Sequence, residues 1–270
     1  MMRLGCCGGI DNIEQVRDAG FDFLEVGVQP VLRGDDSDAD WRAAAPDPDK
    51  LPLPIEAANS LLPVAHPVVG PQRDMDALRT YMGRVAERAA RIGIQRLVFG
   101  SGKARVRPEG VSAGEAMDQL AEFCRMAGDL CHQHGVTLVI EHLHQGETNT
   151  INSLADELTL VERANHPGVQ ALVDSFHYGL ENETDEAIIK LGDYIRHVHV
   201  AEPVDRLQPG AHGTSEKAFD FESFFCSLRK VGYDERVSIE AKWNTSIAEA
   251  GPACVELLRQ AWQAAGRCEV

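Results

Sequence analysis

The chain has 270 residues, a formal net charge of -16, and 44% hydrophobic and 25% charged residues. Its length fits one large α/β domain over residues 1–270, and its residue balance is that of a globular protein. Nucleic acids and anionic membranes bind basic surfaces, so the acidic charge argues against both as partners.

Two features of the sequence predict a cytoplasmic location. The opening MMRLGCCGGI is unlike a signal peptide, and no apolar run approaches the roughly 20 residues that span a bilayer. The seven cysteines are odd in number, scattered and without a CxxC pair, so we expect reduced thiols in a reducing compartment.

Apolar runs alternate with longer amphipathic runs along the whole chain, a pattern typical of parallel α/β folds. Eight strands are predicted: Arg3–Cys7, Phe23–Val28, Ile55–Asn59, Arg96–Gly100, Thr137–Glu141, Gln170–Asp174, His197–Ala201 and Val237–Ala241. The clearest helices are Asp74–Arg91, Ala113–His134, Ser153–Ala164, Phe221–Lys230 and Pro252–Ala265. Eight βα units predict a single closed (β/α)8 TIM barrel rather than a doubly wound open sheet, which usually has fewer strands.

The least regular stretch is Pro30–Pro54, which is rich in Pro, Asp and Ala and interrupts the second βα unit. A loop of this length in a compact domain is usually a lid or a binding loop. The alternative interpretation is a solvated insertion without a role in binding.

Four consecutive strands deliver polar groups at their carboxyl ends, where TIM barrels place their functional side chains. These residues are Glu141, Asp174, His199 and Glu240. Singly, each is more typical of a salt-bridged loop residue or a structural histidine. Together, three carboxylates in a mouth of low dielectric would repel one another unless they protonate or bind a cation. The set therefore predicts a divalent metal site suited to Mn²⁺, Mg²⁺ or Co²⁺, with Zn²⁺ as an alternative.

Further polar residues follow these strands at offsets that suit substrate binding. The candidates are Glu147, His177, Arg206, Arg105 and Ser101. The carboxylate and the imidazole would contact hydroxyl groups, and the arginines would contact carbonyl, hydroxyl or phosphate oxygens. Each could instead be an ordinary loop residue, and Ser101 could cap a turn. We expect His66 to be structural, and Glu25 to be a supporting acid or a member of a buried ion pair.

The ordered motifs resemble the sugar phosphate isomerase/epimerase family, the xylose isomerase-like barrels. The resemblance covers most of the chain and is carried by Leu97–Gly110, Val139–Ser153, Val173–Glu183, His197–Gly210 and Val237–Trp243. In the ketose 3-epimerases of this family, Glu, Asp, His and Glu from strands five to eight hold the metal. The resemblance therefore implies that Glu141, Asp174, His199 and Glu240 are the ligands and that Glu141 and Glu240 double as the acid–base pair. It also implies that Glu147, His177 and Arg206 contact the substrate.

The chain departs from the family pattern in two places. The family often has Asn-Arg shortly after the fifth strand, where this sequence has His144-Gln145, and the loop Pro203–His212 matches no particular subfamily. These departures affect the sugar contacts. The family also includes hydroxypyruvate isomerases, aldose–ketose isomerases and inosose dehydratases, and a fold alone does not choose among them.

The implied function is a metal-dependent isomerase or epimerase that acts on a keto-sugar, a sugar phosphate or a related hydroxy-carbonyl compound. One glutamate would remove a proton beside the carbonyl to give an enediolate, and the other would return it. Rival functions are an inosose-type dehydratase, an endonuclease IV-like phosphodiesterase and a non-catalytic binding barrel. Barrels of this kind often associate, which leaves a homodimer or a homotetramer open.

Overall fold

The computed structural model of the chain describes residues 2–268. Eight parallel strands pair in chain order, and the last pairs with the first to close a barrel. The strands are β1 Arg3–Cys7, β2 Phe23–Gly27, β3 Ile55–Asn59, β4 Arg96–Phe99, β5 Thr137–Glu141, β6 Val169–Asp174, β7 Ile195–Val200 and β8 Arg236–Ile239. The predicted (β/α)8 barrel is confirmed, and the alternative of a doubly wound open sheet is wrong.

Helices connect the strands around the outside of the barrel. They are α1 Ile13–Asp18, α2 Val28–Val31, α3 Asp38–Ala44, α4 Met75–Ile92, α5 Ala113–Gln133, α6 Leu154–Ala164, α7 Ser175–Leu180, α8 Asp185–Leu191, α9 Phe221–Lys230 and α10 Ile247–Ala265. The largest error in the predicted helices lies at α10, which begins five residues before Pro252. Ser246 caps this helix by accepting from the amide of Glu249, and the proline lies in the second turn.

The barrel interior and its outer surface carry separate apolar layers. Val98, Val139 and Leu172 form a small buried cluster that is distinct from the large core between the strands and helices. At Gly5, a Cβ would lie 2.3 Å from the ring of Phe23, so the absence of a side chain makes room for the phenylalanine. Close packing of this kind fixes the strands that carry the site.

The segment Pro30–Pro54 is better ordered than its sequence suggests, because a buried arginine of α4 anchors it. Arg88 donates to the carbonyls of Leu32 and Asp36 and to the carboxylate of Asp38. Its guanidinium also lies 5.1 Å from the ring centroid of Trp41. These contacts favour an anchored insertion over a lid.

The expectation that all seven cysteines are reduced thiols is wrong for two of them. Cys226 and Cys268 form a disulfide between α9 and the segment that follows α10, with their Cα atoms 5.8 Å apart. Because the two cysteines are separated by 42 positions, their pairing could not be predicted from the sequence. The other five are free: Cys6, Cys7, Cys124, Cys131 and Cys254. Across residues 2–268, no helix combines the length and apolar character needed to cross a membrane.

Candidate active site and metal centre

A cavity of about 330 Å³ opens at the carboxyl ends of the strands. Glu141, Glu147, Arg206 and Glu240 line it, together with loop residues that follow β3 and β4. It therefore lies where TIM barrels carry their sites, and the four predicted metal ligands meet at or beneath it.

The structure brings Glu141, Asp174, His199 and Glu240 together. One ligand atom from each lies within 4.8 Å of the others. His199 Nδ1 is 3.4 Å from Glu141 Oε1 and 3.3 Å from Glu240 Oε2. The spacing arises because the ends of β5, β6 and β7 are adjacent in the barrel and Glu240 follows β8 directly.

Three buried atoms of this group make no hydrogen bond to any residue from 2 to 268. They are Glu141 Oε1, Asp174 Oδ2 and His199 Nδ1. Leaving a buried polar atom without a partner costs about 1–3 kcal/mol, and more when the group is charged. Three such acceptors directed to one point fit a divalent cation and the hard ligand set that it prefers.

Glu25 orients the histidine ligand from below. Its carboxylate contacts His197 Nε2 at 2.8 Å and His199 Nε2 at 2.9 Å, and all three side chains are fully buried. A neutral His199 that donates from Nε2 to Glu25 leaves the lone pair of Nδ1 directed at the cluster. This carboxylate–histidine arrangement is common behind metal ligands, and it agrees with the expectation for Glu25 as a supporting acid.

Burial and neighbouring charges shift the carboxylates in opposite directions. Burial raises the pKa of Glu141, and it raises the pKa of Asp174 to about 7. Burial also acts on Glu240, but the positive neighbours His199 and Arg206 outweigh it and lower the pKa of that carboxyl. For His199, burial is outweighed by Glu25 and Glu240, which raise its pKa well above the usual value.

Arg206 joins the metal group to the rim of the cavity. Its Nη2 donates to Glu240 Oε2 at 2.6 Å, and its Nη1 donates to Glu147 Oε1 at 3.3 Å. The guanidinium also lies 4.6 Å from the ring centroid of Phe176. The two predicted substrate contacts Arg206 and Glu147 therefore reach the cavity as a pair.

His177 and His144 lie beside this pair and stack at a centroid distance of 5.3 Å. Nδ1 of His177 accepts from the amide of His144, and Nδ1 of His144 accepts from the amide of Gly146. In the neutral tautomer, each Nε2 therefore carries the proton and can donate. His144 Nε2 lies 3.2 Å from Glu147 Oε1, while His177 Nε2 lies 3.7 Å from Asp174 Oδ2.

Within residues 2–268, two other clusters also gather metal-type ligands within 4.8 Å, but neither fits an ion. His144, Glu147 and His177 form the first, and the protonated Nε2 atoms have no lone pair for a metal. Cys7, Glu25 and His199 form the second. There, burial and the nearby carboxylates raise the pKa of Cys7 well above its usual value, so the thiol keeps its proton.

Arg105 does not lie where the sequence suggested. Its side chain is fully buried, donates to the carbonyl of Phe99 at 3.0 Å and is absent from the cavity wall. This position does not support the predicted substrate contact, because the chain after β4 turns the side chain inward. Ser101 does line the cavity, and its Oγ accepts from the amide of Leu62. His66 packs against Tyr81 and contacts Asp35, in agreement with a structural role.

Asn59 belongs to the site and was missed in the sequence. It ends β3 and donates to Glu240 Oε1 at 2.8 Å, so Glu240 is held by Asn59 on one oxygen and by Arg206 on the other. The rule that found the carboxylates, a polar residue at the carboxyl end of a strand, applies equally to this asparagine.

The model of the xylose isomerase-like TIM barrel family matches residues 13–260. The chain belongs to this family. Among curated relatives, the ketose 3-epimerase of Arthrobacter globiformis is 28% identical over 130 residues, which is 47% of this chain and 43% of the relative. The L-ribulose 3-epimerase of Methylomonas sp. is 26% identical over 135 residues, 50% of this chain and 45% of the relative. In both cases, the chain spans less than half of the relative's length.

Solved structures support the same fold over nearly the whole chain. The 3-keto-D-glucoside 4-epimerase of E. coli superposes with a TM-score of 0.77 at 21% identity, covering 96% of this chain and 100% of that protein. At this identity, the likeness shows the shared xylose isomerase-like barrel alone.

Proposed function

We propose that this xylose isomerase-like barrel is a metal-dependent epimerase of a ketose, a ketose phosphate or a closely related keto-sugar. The observation that carries the proposal is the convergence of Glu141, Asp174, His199 and Glu240 at the mouth of the barrel, with three buried atoms left without hydrogen bonds. The aligned relatives are named as 3-epimerases of ketoses, which supports an epimerase over an aldose–ketose isomerase.

A divalent ion held by these four side chains would polarise the carbonyl and the neighbouring hydroxyl of a substrate and stabilise the negative charge that develops as a proton leaves. Oxygen-rich ligation favours Mn²⁺, Mg²⁺ or Co²⁺, and Zn²⁺ is the alternative. Two of the four ligands are held by the chain before any ion binds, because Glu25 orients His199, and Asn59 and Arg206 orient Glu240.

Glu141 and Glu240 are proposed as the acid–base pair. Both carboxylates line the cavity and approach the same His199 nitrogen, so a substrate carbon beside that point lies within reach of each. One carboxylate removes the proton beside the carbonyl, and the other delivers a proton to the opposite face. This exchange inverts the carbon without changing the rest of the sugar.

The rim of the cavity supplies the proposed contacts to substrate hydroxyls. Glu147 offers acceptor oxygens, and Arg206 offers a fork of donors. Ser101 adds a hydroxyl next to them. His177 is fully buried and does not line the cavity, and its Nε2 faces Asp174 Oδ2 at 3.7 Å. The cavity volume of about 330 Å³ suits a monosaccharide.

The test combines metal analysis with product analysis. The purified protein, loaded with Mn²⁺ in D₂O, is offered free ketoses, ketose phosphates and inososes, and the products are read by NMR. The proposal expects an epimeric ketose with deuterium at the inverted carbon. An aldose product would indicate an aldose–ketose isomerase instead of an epimerase, and loss of water would indicate a dehydratase. No turnover of any substrate class would contradict the proposal.

A further inference from the structure

Glu157 is a buried carboxylate outside the catalytic cavity. It lies in the first half of α6, on the face that packs against the barrel wall, and its side chain is fully buried. Burying a carboxylate in this way is costly unless its oxygens find specific partners.

Both oxygens of Glu157 bind backbone amides of two adjacent strands. Oε2 accepts from the amide of His142 at 3.0 Å, and Oε1 accepts from the amide of Leu172 at 2.9 Å. His142 is the first residue after β5, and Leu172 lies within β6. The carboxylate thus joins the two strands from outside the barrel.

These two amides lie within two residues of the proposed metal ligands Glu141 and Asp174. Glu141 directly precedes His142, and the strand register pairs Glu141 with Leu172. Asp174 lies two residues beyond Leu172 and therefore on the same face of β6. The register between β6 and β7 also shifts at Leu172, so the regular ladder is interrupted where the side chain supplies an acceptor.

We propose that Glu157 is a positioning residue for the metal centre: by joining the amides of His142 and Leu172, it sets the spacing of β5 and β6 and hence of Glu141 and Asp174. The inference rests on the proposed function, because it assigns Glu157 to the metal site of that function. A carboxylate suits this role because it presents two acceptors, whereas a glutamine would place an N–H group against one of the two amides.

The test measures binding of Mn²⁺ to metal-free protein by calorimetry, together with the melting temperature. Glu157→Gln is expected to weaken Mn²⁺ binding by about 10–100-fold, the usual cost of losing a group that supports a ligand. Saturating Mn²⁺ should restore turnover, since the reacting groups are intact. Glu157→Asp keeps both carboxyl oxygens on a shorter stem that reaches the two amides less well, so it should also weaken Mn²⁺ binding and serves as the second variant if the glutamine protein does not fold.

A matched control lies at the opposite end of the barrel. Asp22 Oδ2 accepts from the amide of Leu4 at 2.8 Å, so Asp22→Asn also removes a carboxylate contact to a strand amide. It should lower the melting temperature and leave the Mn²⁺ affinity within about twofold of wild type. Unchanged affinity in the Glu157 variants that fold overturns the positioning role. Failure of the wild-type protein to bind Mn²⁺ would instead count against the proposed function.

Discussion

His199 has carboxylates on both sides of its ring. Glu25 accepts from Nε2, and Glu141 and Glu240 lie 3.3–3.4 Å from Nδ1. A neutral ring would direct a lone pair at two anionic oxygens, which is unfavourable. Either a proton or a metal ion must therefore occupy the position beside Nδ1. A proton and a metal ion therefore compete for the lone pair of Nδ1, because only one of them can occupy it at a time.

This competition gives a pH dependence with a definite sign. Burial raises the pKa of Asp174 to about 7, and the pKa of His199 is also raised, so the metal-free site binds protons at neutral pH and below. A metal ion must displace them. We expect the Mn²⁺ affinity to fall by about tenfold or more for each pH unit below 7. Calorimetric titrations between pH 5 and pH 8 would measure it, and an affinity independent of pH would contradict the competition.

The two glutamates of the proposed acid–base pair are open to direct substitution. Glu141→Gln or Glu240→Gln keeps the side-chain shape and removes the ionisable group, so turnover should fall by about 10²–10⁴-fold or more. Circular dichroism should show an intact fold. Near-normal turnover in either variant would show that the residue does not transfer the proton.

Gly100 determines where the carboxylate of Glu141 can lie. A Cβ at this position would be 2.1 Å from Glu141 Oε2, the far end of a flexible side chain. Gly100→Ala should therefore displace the carboxylate at little cost in stability, and lower turnover by about tenfold or more, since small misplacements of reacting groups are costly. Gly83→Ala is the matched control, because nothing lies within 4 Å of its Cβ. A Gly100→Ala protein as active as the control would contradict this reason for the glycine.

The residues that sequence could predict are those that follow a simple positional rule. Glu141, Asp174, His199 and Glu240 end consecutive strands of one closed barrel, so the fold itself places them together. The inward position of Arg105 could not be predicted, because a turn of a few residues decides whether a loop arginine points inward. The burial of Glu157 could have been predicted from the sequence but was not. This residue falls at helical spacing from Leu154 and Leu160, on the apolar face of α6.

At the scale of elements, strands were easier to predict than helices. The strand runs are short, apolar and bounded by turns, and their predicted limits differ from the observed ones by at most two residues. The short helices α1, α2, α3, α7 and α8 were not predicted, because four to seven residues are too few for an apolar period to emerge. The segment Pro30–Pro54 gained its order from Arg88, which is distant in sequence.

The disulfide between Cys226 and Cys268 ties α9 to the segment after α10, and its effect depends on the redox state. Closing a loop across a sequence separation of 42 stabilises a protein by about 2–4 kcal/mol in the chain-entropy account. Cys226→Ser should lower the melting temperature of protein purified without reductant. The wild-type protein should fall to the same value in excess dithiothreitol, and the variant should not change. Equal melting temperatures without reductant would contradict a stabilising bond.

For the whole molecule, the metal site couples function to stability. The barrel closes by pairing β8 with β1, so the ends of β5 to β8 must approach one another whether or not an ion is present. Folding therefore brings together three carboxylates that repel one another, and this repulsion lowers the free energy of unfolding. An ion that binds the folded barrel and not the unfolded chain reverses this cost.

Metal removal should consequently destabilise the protein as well as inactivate it. At a free Mn²⁺ concentration of 100 times Kd, binding adds about 2.7 kcal/mol to the free energy of unfolding, and for a barrel of this size the melting temperature should rise by roughly 5–10 °C. Chelation followed by dialysis should remove that increment, and Mn²⁺ should restore it together with activity. The Glu141→Gln protein separates the two effects, because it should gain less stability from Mn²⁺ while it remains folded. If the melting temperature of the wild-type protein is the same with and without Mn²⁺, the four side chains do not share an ion.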